Sequence, residues 1–81
     1  MTPRIIDAKY MEGYTLYLRF SDGSEGAINL EQELSGEIFE PLKDLLFFKR
    51  FVINHDIHTL VWPNGADFAP EFLHENLRVM A

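Results

Sequence analysis

Hydrophobic and polar residues alternate along the first part of the chain. Two runs place apolar side chains at every second position, first Ile6, Ala8 and Tyr10, then Leu16, Leu18 and Phe20. A period of two puts the residues of each run on one face of a β-strand. Glycine-containing turn signals follow both runs, and residues 25–30 form a third strand-like run. The pattern predicts an antiparallel three-stranded meander over the first thirty residues.

Short helical segments follow the meander. Residues 31–36 contain good helix formers and end in glycine, so they predict a short helix or turn. Asp44 precedes the apolar residues 45–48, and its side chain can cap a short helix that ends at Lys49 and Arg50. Because this helix is nearly all apolar, we expect it to be largely buried or to lie against a partner.

A second hairpin and a last helix complete the predicted fold. Residues 51–53 and 59–62 are β-branched and aromatic runs, and we expect them to be the more buried strands. Another helix begins near Pro70, and we expect the chain to fray beyond Arg78. The sequence thus predicts a single α+β domain over residues 1–81. It combines the antiparallel meander and the second β-hairpin with two or three short helices packed on one face.

Residues 61–67 join the only tryptophan of the chain to a tight turn and a carboxylate. Pro63 lacks a backbone donor, and Asn64 and Gly65 favour the left-handed backbone of turns. Together with Ala66 these residues predict a structural turn between a buried strand and the last helix.

Two interpretations apply to Trp62, Asn64 and Asp67. In the structural one, Trp62 packs in the core, Asn64 forms an Asx turn, and Asp67 binds backbone amides of the turn or of the next helix. In the functional one, the three side chains line a groove that binds a peptide or a small ligand. We favour the structural interpretation.

Tyr17 and Arg19 form a second candidate binding surface. They lie on the strand face opposite Leu16 and Leu18, so a tyrosine of the first hairpin can be displayed beside an arginine. Such a surface suits a protein partner. An outer tyrosine that only shields the backbone of a half-covered sheet explains the pattern equally well.

The composition limits the class of function. The chain has no cysteine, which excludes thiol catalysis, iron–sulfur ligation and cysteine-based zinc sites. Thirteen Asp and Glu residues against seven Lys and Arg give a net charge of −6, so we expect basic partners and no direct binding to nucleic acid. The same acidity can serve solubility alone. Neither a signal peptide nor a membrane span opens the chain, which predicts a cytoplasmic protein.

The motifs of common enzymes are missing from the sequence. Neither a nucleophile elbow nor a G-x-G-x-x-G or P-loop pattern occurs, so we expect no catalytic residue and no cofactor. His55 and His58 flank Asp56 in the predicted hairpin loop, but such a sparse metal motif needs a further ligand. We therefore expect a solvated turn, no metal site and no enzymatic activity.

Four segments carry a more specific signal. They are residues 3–7, residues 16–23, residues 38–44 with Phe47 and Phe48, and above all residues 60–67, which read LVWPNGAD. On these segments the chain resembles the small bacterial domain-of-unknown-function family 2442 over almost its whole length. The resemblance implies a compact α+β fold without known enzymatic activity, often encoded beside a small partner in toxin–antitoxin-like arrangements. Some relatives carry an added helix-turn-helix domain, which we expect this chain, ending at Ala81, to lack.

Together these observations predict a non-enzymatic interaction module. We expect an antitoxin-like role in which the acidic chain binds a small basic partner protein. The alternative is a ligand-binding or sensory domain that uses residues 62–67 as a pocket wall and, in longer relatives, regulates an attached DNA-binding domain. The open edge of the meander also permits a homo-oligomer in which two copies pair symmetrically.

Overall fold

Two antiparallel sheets organise the structure, a computed structural model that describes residues 3–79. The larger sheet has the strand order β1 (Ile5–Glu12), β2 (Thr15–Phe20), β3 (Glu25–Asn29) and β6 (Arg78–Val79). The smaller sheet pairs β4 (Val52–Asn54) with β5 (Thr59–Val61). Short helices lie between the strands, which confirms the predicted α+β fold with a meander and a second hairpin.

The helices within residues 3–79 are all short. Two are 3₁₀ helices, at Glu31–Glu33 and Glu40–Lys43, and two are α-helices, α1 (Leu45–Phe48) and α2 (Pro70–Glu75). The predicted cap of α1 is present, because Asp44 Oδ1 accepts a hydrogen bond of 3.0 Å from the Leu46 amide. None of these helices has the length and hydrophobicity needed to cross a membrane.

Helix α1 meets the core through its two phenylalanines. Phe47 packs against the core cluster from a partly buried position. Phe48 is buried, whereas Leu45 is 40% and Leu46 is 76% exposed. The prediction that this helix is largely buried is therefore wrong for Leu45 and Leu46, and the alternative, that the helix lies against a partner, stays a prediction. A single helical turn points its side chains in all directions, so a helix packed on one side can bury only part of them.

The first strand departs from the predicted alternation. Ile5 is 2% exposed and lies opposite Phe20, whereas Ile6 is 49% exposed. A register shift between Ile5 and Asp7 inserts an extra residue into β1, after which Ala8 again packs toward the core. The prediction that Ile6 shares a face with Ala8 and Tyr10 is therefore wrong, because a β-bulge moves the alternation by one position and Ile5 takes that place.

The core lies between the inner face of the larger sheet and a layer formed by the second hairpin and the helices. Leu16, Leu18 and Phe20 of β2 are fully buried, as predicted. The same cluster contains Ile5, Ile28, Leu30, Leu34, Leu42, Phe48, Leu60, Trp62, Ala66, Phe68 and Leu73. Since both halves of the chain contribute, the two sheets share one continuous core.

The second hairpin is buried on one strand only. Thr59 and Leu60 of β5 are 2% and 0% exposed, but Val52 of β4 is 60% exposed. The prediction that this hairpin carries the more buried strands is wrong for β4. Successive side chains of a strand point to opposite sides, and Val52 points away from the core.

The chain continues as a strand where the sequence predicts fraying. Arg78 pairs with Ala27 and Val79 pairs with Gly26, so β6 extends the larger sheet beside β3. The prediction of fraying beyond Arg78 is wrong for Val79, because the open edge of β3 supplies backbone partners that no local pattern reveals. Residues 80 and 81, which the same prediction includes, lie outside the described residues.

Alanine substitution tests the bulged register of β1. Ile5→Ala removes a buried side chain, and we expect it to lower the free energy of unfolding by about 2–4 kcal/mol. Ile6→Ala is matched in chemistry, and we expect a loss below about 1 kcal/mol because the side chain is half-exposed. Urea unfolding of both variants measures these losses. Equal losses, or a larger loss at Ile6, would contradict the register.

Candidate functional site

Trp62 directly follows β5 and lies inside the core. The residue is 1% exposed, and its Nε1 donates a hydrogen bond of 2.7 Å to the Phe48 carbonyl. The ring centroids of Phe48, Phe51 and Phe68 lie 5.8, 6.3 and 5.8 Å from that of Trp62. Aromatic contacts at these separations add to the free energy of apolar burial. Trp62 therefore supports the fold and has almost no exposed surface with which to contact a ligand.

The residues after Trp62 reverse the chain in a tight turn. The Gly65 amide donates to the Trp62 carbonyl and the Trp62 amide donates to the Ala66 carbonyl, both at 2.9 Å. Gly65 has a φ of +88°, a conformation that favours glycine. Asn64 Oδ1 accepts from the Ala66 amide at 3.1 Å, as expected of an Asx turn. Asn64 Nδ2 also donates to the Ile38 carbonyl at 2.8 Å, so the turn fixes a distant segment.

Asp67 does not have the predicted structural role. Its backbone pairs with Val61 in an isolated β-bridge, while its exposed carboxylate makes none of the side-chain hydrogen bonds found within residues 3–79. Helix α2 begins after Ala69, which supplies no side-chain cap. The expectation that Asp67 binds amides of the turn or helix is therefore wrong, since Asn64 already serves the turn. A ligand-binding role for Asn64 and Asp67 stays a prediction.

Tyr17 and Arg19 lie together on the solvent side of the larger sheet. Cross-strand pairing places Arg19 between Asp7 and Glu25, and Tyr17 between Lys9 and Ala27; we call these six residues the outer face. Five of them, without Ala27, border a shallow groove of about 750 Å³. Partial burial and then the neighbouring Glu25 carboxylate raise the pKa of Tyr17. The outer face has two carboxylates and two cations, and a partner-binding role for Tyr17 and Arg19 stays a prediction.

A different surface carries the negative charge of the chain. Two stretches of sequence, residues 31–42 and 64–77, contain neither Lys nor Arg. Their exposed carboxylates are Glu31, Glu33, Glu37, Glu40, Asp67, Glu71 and Glu75, and we call these seven the acidic face. The chain has thirteen carboxylates, so six remain elsewhere beside seven Lys and Arg, a formal charge of +1. The acidic face therefore accounts for the whole net charge of −6.

Aromatic stacking brings the two acidic stretches together. Phe39 stacks on Phe68 with a centroid distance of 5.0 Å, and Phe68 stacks on Phe72 at 5.9 Å. Glu33 and Phe72 line one groove of about 490 Å³ beside β3, which Arg78 also borders. The sequence patterns did not predict this surface. The lack of Lys and Arg in two stretches was the one signal that could have indicated it, but nothing in the sequence placed those stretches side by side.

Two of the three histidines lie in the turn between β4 and β5, as predicted. His55 is exposed and His58 is partly buried. Within residues 3–79, no three His, Asp or Glu side chains gather as the ligands of a metal ion would.

The third histidine connects α2 with the turn after β2. His74 Nε2 lies 2.9 Å from Asp22 Oδ2, and its ring meets Phe20 edge-on at 5.0 Å. Asp22 Oδ1 also accepts hydrogen bonds from the Ser24 hydroxyl at 2.6 Å and the Ser24 amide at 3.0 Å. The bonds from Ser24, followed by the contact with His74, lower the pKa of Asp22 to about 2.

A protein-family model matches almost the whole described fold. It is described as "Protein of unknown function (DUF2442)", and the match covers residues 5–78, from the start of β1 into β6. No curated protein and no solved structure matches the chain. The match confirms the resemblance carried by the sequence segments, including residues 60–67.

Replacing the indole tests its role in the core. Trp62→Phe removes the Nε1 donor, leaves the Phe48 carbonyl without that partner, and opens a small cavity. We expect the free energy of unfolding to fall by about 2–4 kcal/mol. Urea unfolding followed by circular dichroism measures the change without relying on tryptophan fluorescence. A loss below about 0.5 kcal/mol would contradict a structural role for Trp62.

The depressed pKa of Asp22 predicts a pH-dependent stability. The unfolded chain has the ordinary value of 3.8, so the folded state holds the carboxylate ionised down to lower pH. The stabilisation is therefore complete above the unfolded pKa and is lost as pH falls through about 2. We expect Asp22→Asn to be less stable than the wild type in urea at neutral pH and equally stable in strong acid. A stability gap independent of pH would contradict this assignment.

Proposed function

We propose that this chain, which belongs to the DUF2442 family of proteins of unknown function, is a non-enzymatic module that binds a small basic partner protein. The binding surface we assign is the acidic face. The observation that carries the proposal is the uneven distribution of charge. The seven carboxylates of the acidic face outnumber the six negative charges of the net charge, whereas the charged residues of the rest of the chain nearly cancel. Solubility alone does not require the carboxylates to concentrate in two stretches that pack together.

The acidic face combines charge with apolar groups in the way that protein interfaces do. Ile38 lies within it and is 48% exposed, and its carbonyl is fixed by the bond from Asn64. The stacked rings of Phe39, Phe68 and Phe72 lie behind it. Such an arrangement offers apolar groups surrounded by carboxylates. The aliphatic stems of partner lysines and arginines can cover the apolar groups while their charged ends contact the carboxylates.

Electrostatics favours a basic protein over other partners. The acidic face is predominantly negative, although Glu40 pairs with Lys43 at 3.0 Å and Arg78 borders the groove at Glu33. Such a surface attracts an oppositely charged protein over a distance of about 10 Å at moderate salt, which speeds association and discriminates against acidic partners. The same field repels a nucleic-acid backbone. We propose a cytoplasmic, antitoxin-like role on this basis, with the toxin-like character of the partner resting on the family resemblance alone.

Paired charge variants test the acidic face. Glu33→Gln with Glu75→Gln neutralises two of its carboxylates, and Glu12→Gln with Asp56→Asn neutralises two exposed carboxylates elsewhere. Both pairs change the net charge equally. We expect the first pair to weaken binding to the protein encoded by the neighbouring gene about tenfold at low salt, and the second pair by less than about twofold. Isothermal titration calorimetry of the purified proteins measures both affinities.

The salt dependence of the same complex gives an independent check. We expect the wild-type affinity to fall as sodium chloride rises, and the Glu33 and Glu75 double variant to show a shallower fall because fewer charges take part. Equal losses in the two double variants would place binding outside the acidic face. Absence of a complex at any salt concentration would overturn the choice of partner.

A further inference from the structure

One cavity of this acidic chain is lined by basic and hydroxyl side chains. It lies between the start of β1, the residue after β2 and the turn that joins β4 to β5, and its volume is about 420 Å³. The lining residues are Arg4, Ile5, Ile6, Ser21, His55 and His58, and we call it the cationic cavity.

The lining contrasts with that of the other grooves. The grooves beside β3 and over the outer face each include Asp or Glu residues, whereas no carboxylate of residues 3–79 lines the cationic cavity. The carboxylates closest in sequence are Asp7, Asp22 and Asp56. Asp7 borders the groove of the outer face and accepts a hydrogen bond of 3.0 Å from the Ala8 amide. Asp22 is held by Ser24 and His74, and Asp56 is exposed in the hairpin turn. In a chain with thirteen carboxylates and a net charge of −6, this surface favours an anion.

The polar groups of the cavity can all act as hydrogen-bond donors. The Arg4 guanidinium has several N–H groups in a planar fork, and each imidazole provides at least one more. Ser21 Oγ already accepts a hydrogen bond of 2.9 Å from the Arg4 amide, so its own hydroxyl hydrogen can point into the cavity. Ser21 and Arg4 are also joined by a bond of 2.8 Å from the Ser21 amide to the Arg4 carbonyl. The backbone around two of the donors is thus fixed before any ligand arrives.

The backbone of His58 is held in an unfavourable conformation. His58 has a φ of +61°, which lies in the left-handed region. Within residues 3–79, every other residue with a positive φ is a glycine. Its amide donates to the Asn54 carbonyl at 2.7 Å, and its carbonyl accepts from the Ile5 amide at 3.3 Å. Glycine would adopt this conformation at no steric cost. Strained residues of this kind cluster at ligand sites, and here the strain keeps an imidazole in the cavity lining.

We propose that the cationic cavity binds the phosphate group of a small phosphorylated organic compound. A phosphate group has three terminal oxygens, which can accept hydrogen bonds from Arg4, Ser21 and the two histidines. A carboxylate has only two oxygens and would leave more of these donors unused. The volume is larger than a bare phosphate, and Ile6, which is 49% exposed, supplies an apolar wall for the organic part. This site lies apart from the acidic face and does not rest on the partner-binding proposal.

Titration of the full chain by nuclear magnetic resonance tests the site. Phenyl phosphate, inorganic phosphate and benzoate are each added at constant ionic strength, and amide shifts are followed at Arg4, Ser21, His55 and His58. We expect saturable shifts with phenyl phosphate at a Kd of about 1–10 mM, and weaker binding of inorganic phosphate because it lacks an apolar part. Benzoate that binds as tightly as phenyl phosphate would overturn the assignment to phosphate, and shifts that do not saturate would overturn the site.

Matched variants separate binding from general charge. Arg4→Gln removes a cavity donor, whereas Arg19→Gln makes the same change on the outer face. We expect the first to weaken phenyl phosphate binding at least about fivefold and the second to leave it unchanged, because only Arg4 can contact the ligand. Equal effects of the two variants would show nonspecific attraction and would overturn the proposal.

A glycine variant distinguishes a ligand site from a structural turn. His58→Gly relieves the left-handed backbone, so we expect a melting temperature at or above that of the wild type. We expect the same variant to bind phenyl phosphate at least about fivefold more weakly, because one imidazole is lost. A stabilised variant with unchanged affinity would overturn the role of His58 in the site.

Discussion

The hydrogen bond from the Trp62 indole to the Phe48 carbonyl joins the parts of this small fold. Phe48 also makes edge-to-face contacts with Tyr10 of β1 and with Tyr14 of the turn between β1 and β2, at centroid distances of 6.4 and 5.2 Å. On its other side, Trp62 meets Phe68 at 5.8 Å. A continuous series of aromatic contacts thus runs from the sheet through the helix and the hairpin to the last turn. In a chain without disulfides, large aromatic side chains supply much of the apolar area that a small domain needs.

The same aromatic series determines which residues share a surface. Phe68 continues it to Phe39 and Phe72, and these contacts set the stretch after β3 beside the stretch that contains α2. Both stretches are acidic, so packing in the interior produces a predominantly negative surface. The cationic cavity has the opposite kind of lining, and it forms where the first strand meets the hairpin turn at His58. The chain therefore separates its charges by the way its elements pack, and each surface suits a ligand of opposite charge.

Local signals in the sequence were sufficient for most of the elements. Asp44 caps α1, Pro70 opens α2, Gly65 adopts the left-handed backbone, and Leu16 faces the core, each as the neighbouring residues predict. Capping, turn and alternation rules involve residues that are close in sequence, so one sequence contains all the information they need. The burial of Trp62 also follows, because a lone indole in an apolar strand has a strong tendency to leave water.

The sequence by itself determined the α+β class, the three-stranded meander, the second hairpin and the turn after Trp62. Only the tertiary structure decided that Ile5 replaces Ile6 in the core and that Arg78 and Val79 add a strand beside β3. It also decided that the side chain of Asn64, and not that of Asp67, accepts the hydrogen bond from an amide of the turn. Tertiary contacts alone also assembled the acidic face and the cationic cavity. The physical reason is that bulges, strand edges and shared surfaces depend on contacts between segments that are distant in sequence. These segments compete for the same backbone hydrogen-bonding groups and the same space in the core, and a pattern of adjacent residues does not show which of them will occupy it.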